Sequence, residues 1–240
     1  MLLTLWSVKG GSGTSTVAAG LASVLGRGGG RRTPAAAPLL VDLAGDQPAL
    51  LGLATPATPG VRDWLATDGG DAAALRRLEV DTAAGPALVP AGAATGWPAS
   101  RSPDLVDALR AERRPVVVDG GTVGRPLDGG AEGSPDRLVG ELTSAGTSLL
   151  VVRPCYLALR RAVAALGPQG GLRADGIVLV AEPGRALDAV DVARAVGVPV
   201  RATVAADPAV ARAVDAGLLA ARLPRSFGRS LDALATEVGA

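Results

Sequence analysis

The chain has 240 residues, 48% of them apolar and 20% charged, with a net charge of +1 and aromatics at only 2%. That length and apolar share support one α/β domain with a full core of Leu, Val and Ala, and the near-zero net charge gives no overall footprint for nucleic acid or a membrane. One cysteine, Cys155, and no histidine exclude an internal disulfide and argue against a zinc site.

In chain order, an apolar strand over Leu2–Val8 runs into Lys9-Gly10-Gly11-Ser12-Gly13-Thr14-Ser15-Thr16, and an apolar helix follows over Thr16–Leu25. Lys9 is the only lysine among 24 basic residues. Glycines between a strand and a helix let backbone N–H groups converge on phosphate oxygens, and the helix N-terminus adds its positive dipole end. Gly26–Ala37, with Arg27, Arg31 and Arg32, reads as a solvated loop. The next strand, Pro38–Leu43, leads into Asp42-Leu43-Ala44-Gly45-Asp46-Gln47.

Helices are predicted at Gly60–Ala66 and Asp71–Leu78, a strand at Ala87–Pro90 and a helix at Pro103–Glu112. The strand Pro115–Asp119 reads Val116-Val117-Val118-Asp119 and opens a second Gly/Pro-rich loop, Gly120–Ser134. Beyond it the pattern alternates: helix Pro135–Ala145, strand Ser148–Arg153, helix Leu157–Leu166, strand Gly176–Ala181, helix Ala186–Val196, strand Val198–Val204, then helices Pro208–Leu219 and Arg229–Val238. Strands apolar throughout belong to a parallel sheet covered on both faces. The expected architecture is a doubly wound, mostly parallel sheet with helices on both faces, one domain over 1–240, and a ligand site at the carboxyl ends of the strands. No apolar run approaches bilayer length and the chain opens on a strand rather than a charged leader, so the expected location is the cytoplasm.

The loop resembles the deviant Walker A motif of the ParA/MinD family of P-loop ATPases, Lys-Gly-Gly-x-Gly-Lys-[Ser/Thr]-[Ser/Thr], at every position but one. The resemblance implies ATP and Mg²⁺ as cofactors. It implies that Lys9 reaches a partner's phosphates across a nucleotide-dependent homodimer, and that Gly10, Gly11, Ser12 and Gly13 supply backbone approach. Ser15 matches the Mg²⁺ ligand and Thr16 the residue near the α-phosphate. Asp119 matches the Walker B metal carboxylate. Asp42 matches the first aspartate of the family's Asp-x-Asp, while the second falls on Ala44 and leaves Asp46 as the nearest substitute catalytic carboxylate.

The departure is Thr14, which stands where the family has its second lysine. A hydroxyl can bind a phosphate but cannot neutralise charge developing on it, so hydrolysis suffers more than binding. The asparagine that reads adenine after the strand ending at Ala181 is absent, and Ala205 replaces a family proline. These departures resemble the CpaE/TadZ branch and septum-site-determining-like proteins. They imply a positioning factor for Flp/Tad-type pilus, secretion or septum machinery, with weak or absent hydrolysis. Two alternatives stand beside it: an active partitioning or division-site ATPase, and a scaffold that binds no nucleotide. Ser226–Val238 carries Phe227, Leu231 and Leu234 at helical spacing with little positive charge, which reads as packing onto the sheet rather than as a membrane helix. Arg201, Arg212, Arg222, Arg225 and Arg229 are the candidate DNA-facing group.

Overall fold

A computed structural model describes residues 1–27, 37–53, 59–82, 85–124 and 135–239. Most of the two Gly/Pro-rich loops, with Arg31 and Arg32, lies outside the described residues. The strands are β1 (Leu2–Ser7), β2 (Leu39–Asp42), β3 (Ala87–Val89), β4 (Val116–Thr122), β5 (Thr147–Val152), β6 (Gly176–Ala181) and β7 (Val200–Ala205). They form a 7-stranded sheet in the order β3-β2-β4-β1-β5-β6-β7, and every pairing in it is parallel. The doubly wound sheet expected from the alternation of apolar runs is the architecture observed.

Ten α-helices are present among the described residues: α1 (Thr14–Leu25), α2 (Gln47–Leu50), α3 (Val61–Ala66), α4 (Ala72–Arg76), α5 (Ser102–Ala111), α6 (Asp136–Ala145), α7 (Tyr156–Leu166), α8 (Ala189–Val196), α9 (Pro208–Asp215) and α10 (Arg225–Gly239). Alternation along each strand divides the core into two layers. Leu3, Leu5, Leu40, Val117, Leu149, Val151 and Val178 face the layer formed by α1, α9 and α10. Leu2, Trp6, Val41, Val118, Leu150 and Val152 face α3 to α8. Within the second layer the Trp6 indole N–H donates to Ser148 Oγ at 2.9 Å, so a fully buried tryptophan keeps its hydrogen bond.

Several boundaries differ from expectation, and three of them bear on the site or the core. β4 continues past Asp119 to Thr122, because Ser7 pairs with Thr122 after a register shift in β1 between Leu5 and Ser7. α9 ends at Asp215 rather than Leu219, just before Gly217 at φ 64. α10 begins at Arg225 rather than Arg229, which brings Phe227 into the core beside Leu231 and Leu234. That packing depends on Gly20 in α1: a Cβ there would lie 2.5 Å from Phe227 Cε1 and 2.7 Å from Leu231 Cδ1. The apolar face of α10 is therefore spent on α1 and the sheet. Among the described residues no helix is long and apolar enough to cross a membrane.

Candidate phosphate-binding site

The glycine loop leaves β1 at the centre of the sheet, where chain crossovers depart in both directions and open a crevice at the strand ends. Gly13 precedes α1 at φ 91, a left-handed conformation that strains any residue with a Cβ. No side chain caps α1, so the amide groups of its first turn have no intrahelical or capping partner. The Ser12 hydroxyl closes the loop by donating to the Lys9 carbonyl at 2.6 Å. The Ser7 hydroxyl ties the end of β1 to β4 by donating to the Gly121 carbonyl at 3.2 Å. A Cβ at Gly10 or Gly11 would meet no atom of the described residues within 4 Å, so those residues do not require glycine there for space.

The loop opens onto a cavity of 720 Å³ walled by Gly11 to Thr16, the carboxyl ends of β1, β2 and β4, and Asp46. Thr14 is 5% exposed and its hydroxyl, although buried, has no partner among the described residues. An unpartnered hydroxyl beside uncapped amides and a glycine cradle fits an anion of phosphate type. Lys9 and Gly10 are not part of this wall. Thus Gly11, Ser12, Gly13, Thr14, Ser15, Thr16 and Asp46 share one cavity, and Lys9 is not among the residues lining it.

The carboxylates behind the loop are arranged by strand register. Asp42 on β2 and Asp119 on β4 are register partners, and both are fully buried. Asp42 Oδ1 accepts the Ala44 and Gly45 amides at 2.9 and 2.7 Å, and Oδ2 accepts the Gln47 amide at 3.2 Å. It shapes the loop after β2 and does not line the cavity. Burial first, and the Asp119 charge second, push Asp42 up to about 7 against the pull of those amides. Burial also raises Asp119, opposed by hydrogen bonds from Gln47, Ser15 and the Gly121 amide. Their hydrogen-bond partners among the described residues are neutral groups and neither carboxyl lines the cavity, so a cation reaching this edge of the loop would favour their ionised forms.

Sequence reasoning missed Gln47. This fully buried residue donates through Nε2 to Asp119 Oδ2 at 2.7 Å and to the Ser15 carbonyl at 2.9 Å, joining α1 to β4. The Ser15 hydroxyl points the same way, donating to Asp46 Oδ2 at 3.3 Å. Arg62 and Trp97 on the cavity wall were missed as well. Nothing local marks these three: a glutamine before a proline, an arginine on a short helix and a tryptophan in an irregular segment are ordinary residues until the chain folds.

A second cavity of 400 Å³ adjoins the first through Gly13, Thr16 and Val214, and is lined by Val17, Val180, Val204, Ala205 and Pro208 among others. Its walls come from the ends of β6 and β7 and from α9, on the opposite side of the loop from β2 and β3.

Solved structures with the same fold exist. The septum site-determining protein MinD of Pyrococcus horikoshii, complexed with Mg-ADP, superposes with a TM-score of 0.70 at 21% identity over 99% of this chain and 95% of its own. A ParA family ATPase of Chlorobium tepidum gives 0.72 at 19% identity over 97% and 98%. MinD of Aquifex aeolicus gives 0.73 at 16% identity over 100% and 97%. The fold is that of the MinD and ParA ATPases. No protein-family model matches the chain, and no curated protein matches it in sequence. Within the MinD/ParA fold the cavity lies at the carboxyl end of β1, and Thr14 is among its lining residues.

Proposed function

We propose that the chain is a nucleotide-dependent positioning factor of ParA/MinD type, which binds ATP with Mg²⁺, dimerises on the bound nucleotide and hydrolyses it slowly or not at all. The observation that carries this reading is the open glycine cradle lined by Thr14, whose buried hydroxyl has no partner among the described residues. The Mg-ADP bound by the Pyrococcus horikoshii neighbour supports it. The amides from Gly11 to Thr16 would take the phosphate oxygens, and the Thr14 hydroxyl would donate one neutral hydrogen bond. The Ser15 hydroxyl and the Asp119 carboxylate would hold Mg²⁺, with Asp46 beside them. When bound, Mg²⁺ supplies the positive charge that bridges and neutralises the outer phosphates. The apolar second cavity suits a nucleobase, with Val180 and Ala205 where a base-reading side chain is lacking.

The pilus, secretion or septum assignment rests on the sequence resemblance to CpaE/TadZ-type proteins and on the septum-site function named for the Pyrococcus horikoshii neighbour. The exposed Arg212, Arg222, Arg225 and Arg229 leave a DNA-facing role open to the same protein.

Isothermal titration of Mg²⁺ and ATPγS into the wild type tests the binding. Phosphate release by Thr14→Lys but not by wild type is the expected result for the chemistry. Dimerisation by sedimentation with ATPγS, lost in Lys9→Ala, is the expected result for assembly. A wild type that takes up no nucleotide sinks the reading and leaves the scaffold alternative.

A further inference from the structure

We infer that Arg62 recognises the terminal phosphate of the bound nucleotide, and so makes this site prefer a triphosphate over a diphosphate. The inference rests on the nucleotide reading above and adds to it the element that compensates for Thr14.

The two adjoining cavities set the direction. The apolar one lies at the β6–β7 side of the loop and the larger one at the β4–β2 side, with Gly13, Thr16 and Val214 common to both. A nucleotide with its base in the apolar cavity lays its phosphates across the loop toward β2 and β3. Its terminal phosphate then lies in the larger cavity, whose wall includes Arg62 of α3 and Trp97.

Charge points to the same residue. Among the described residues lining that cavity, Arg62 is the only cation. Lys9 is outside the lining, and Thr14 brings no charge. A terminal phosphate differs from the inner ones in carrying the most negative charge, so one fixed cation at that end discriminates by phosphate number.

Arg62 is also held in place before any ligand arrives. Its Nε donates to the Ala91 carbonyl at 3.3 Å and its Nη2 to the Gly92 carbonyl at 2.7 Å, with the guanidinium carbon 5.6 Å from the centre of the Trp97 ring. Neither bond uses Nη1. The segment carrying those carbonyls is itself clamped by the adjacent Asp63, whose carboxylate accepts the Gly60, Ala93 and Ala94 amides at 2.8, 3.0 and 3.0 Å. Burial works against the Asp63 charge, but these amides outweigh it and hold the carboxyl below its ordinary value. A fork fixed by two carbonyls and a ring presents its remaining N–H groups with little further loss of freedom.

The test is titration of Mg²⁺ with ATPγS, and separately with ADP, into wild type, Arg62→Ala, Arg62→Lys and Arg62→Ala/Thr14→Lys. Wild type should prefer ATPγS. Arg62→Ala should weaken ATPγS about 10- to 100-fold, the range for a lost hydrogen bond to a charged group, with ADP held within about twofold. Arg62→Lys should fall between, and Thr14→Lys should restore the triphosphate preference. Tryptophan fluorescence should respond to ATPγS more than to ADP, and the difference should vanish in Arg62→Ala. An equal loss for both ligands, or no loss for either, would overturn the assignment and leave Arg62 as a tie between α3 and the segment after β3. Wild type that binds neither ligand would overturn the nucleotide reading itself.

Discussion

Gln47→Ala removes the amide that joins α1 to the carboxylate of Asp119. The hydrogen bond to Asp119 is charge-assisted when that group is ionised and is worth about 1.5–3 kcal/mol, and the neutral bond to the Ser15 carbonyl adds about 1 kcal/mol. Against this, Gln47 Oε1 is itself buried without a partner, and deleting it returns about 1 kcal/mol. The net expectation is a destabilisation of about 2 kcal/mol, and the pH dependence gives it a signature. Loss of Gln47 removes a group that holds the Asp119 value down, so the folded-state value, already raised, rises further. The folded variant then retains its proton to higher pH, and its stability falls further behind wild type as pH rises. Urea unfolding followed by tryptophan fluorescence at about pH 5 and about pH 8 would measure this, with the larger deficit expected at the higher value. A variant as stable as wild type at both values, or one with a larger deficit in acid, would refute the bridging role.

Asp42 imposes its own slope. Its folded value of about 7 lies above the ordinary 3.8, so between those limits the folded state holds a proton that the unfolded state has released. Stability from this group is highest below that window, falls as pH rises through it and levels off above, by up to about 4 kcal/mol. Asp42→Asn should flatten the curve when denaturation is repeated across the window, and parallel curves would rule the account out. Gly20→Ala sets overpacking against Phe227 and Leu231, about 1–3 kcal/mol, against a helix-propensity gain of about 1 kcal/mol. The neighbours are buried and the overlap is deep, so destabilisation should win by about 1 kcal/mol. Adding Leu231→Ala should then cost less than it does alone, and strictly additive costs would contradict the contact.

The strands were legible because each carries an uninterrupted apolar run, and a parallel sheet covered on both faces needs such runs. Boundaries shifted where a distant partner set them. β4 extends to Thr122 because Ser7 pairs there, and α10 starts at Arg225 because Phe227 finds room over Gly20. The short α2 escaped notice because 4 residues containing Pro48 show no helical period.

At the site, local pattern marked the glycine loop between β1 and α1 and an aspartate in each of β2 and β4, and the structure pairs those two aspartates in register. The hydrogen bonds of Asp42 to the loop amides appeared only with the fold. Gln47, Arg62 and Trp97 had no local mark, since their meaning comes from what faces them.

Steric rules and hydrophobic period act over a few residues, so the sequence alone determined that a strand, a glycine turn and a helix follow one another. They determined equally that the sheet has two apolar faces and that Thr14 brings no charge to the loop. The order β3-β2-β4-β1-β5-β6-β7, the pairing of Asp42 with Asp119, the bridge through Gln47 and the place of Arg62 on the cavity wall were decided by tertiary structure. Each depends on long crossovers bringing distant segments into register, and the free energy of that register is shared among side chains far apart in the chain.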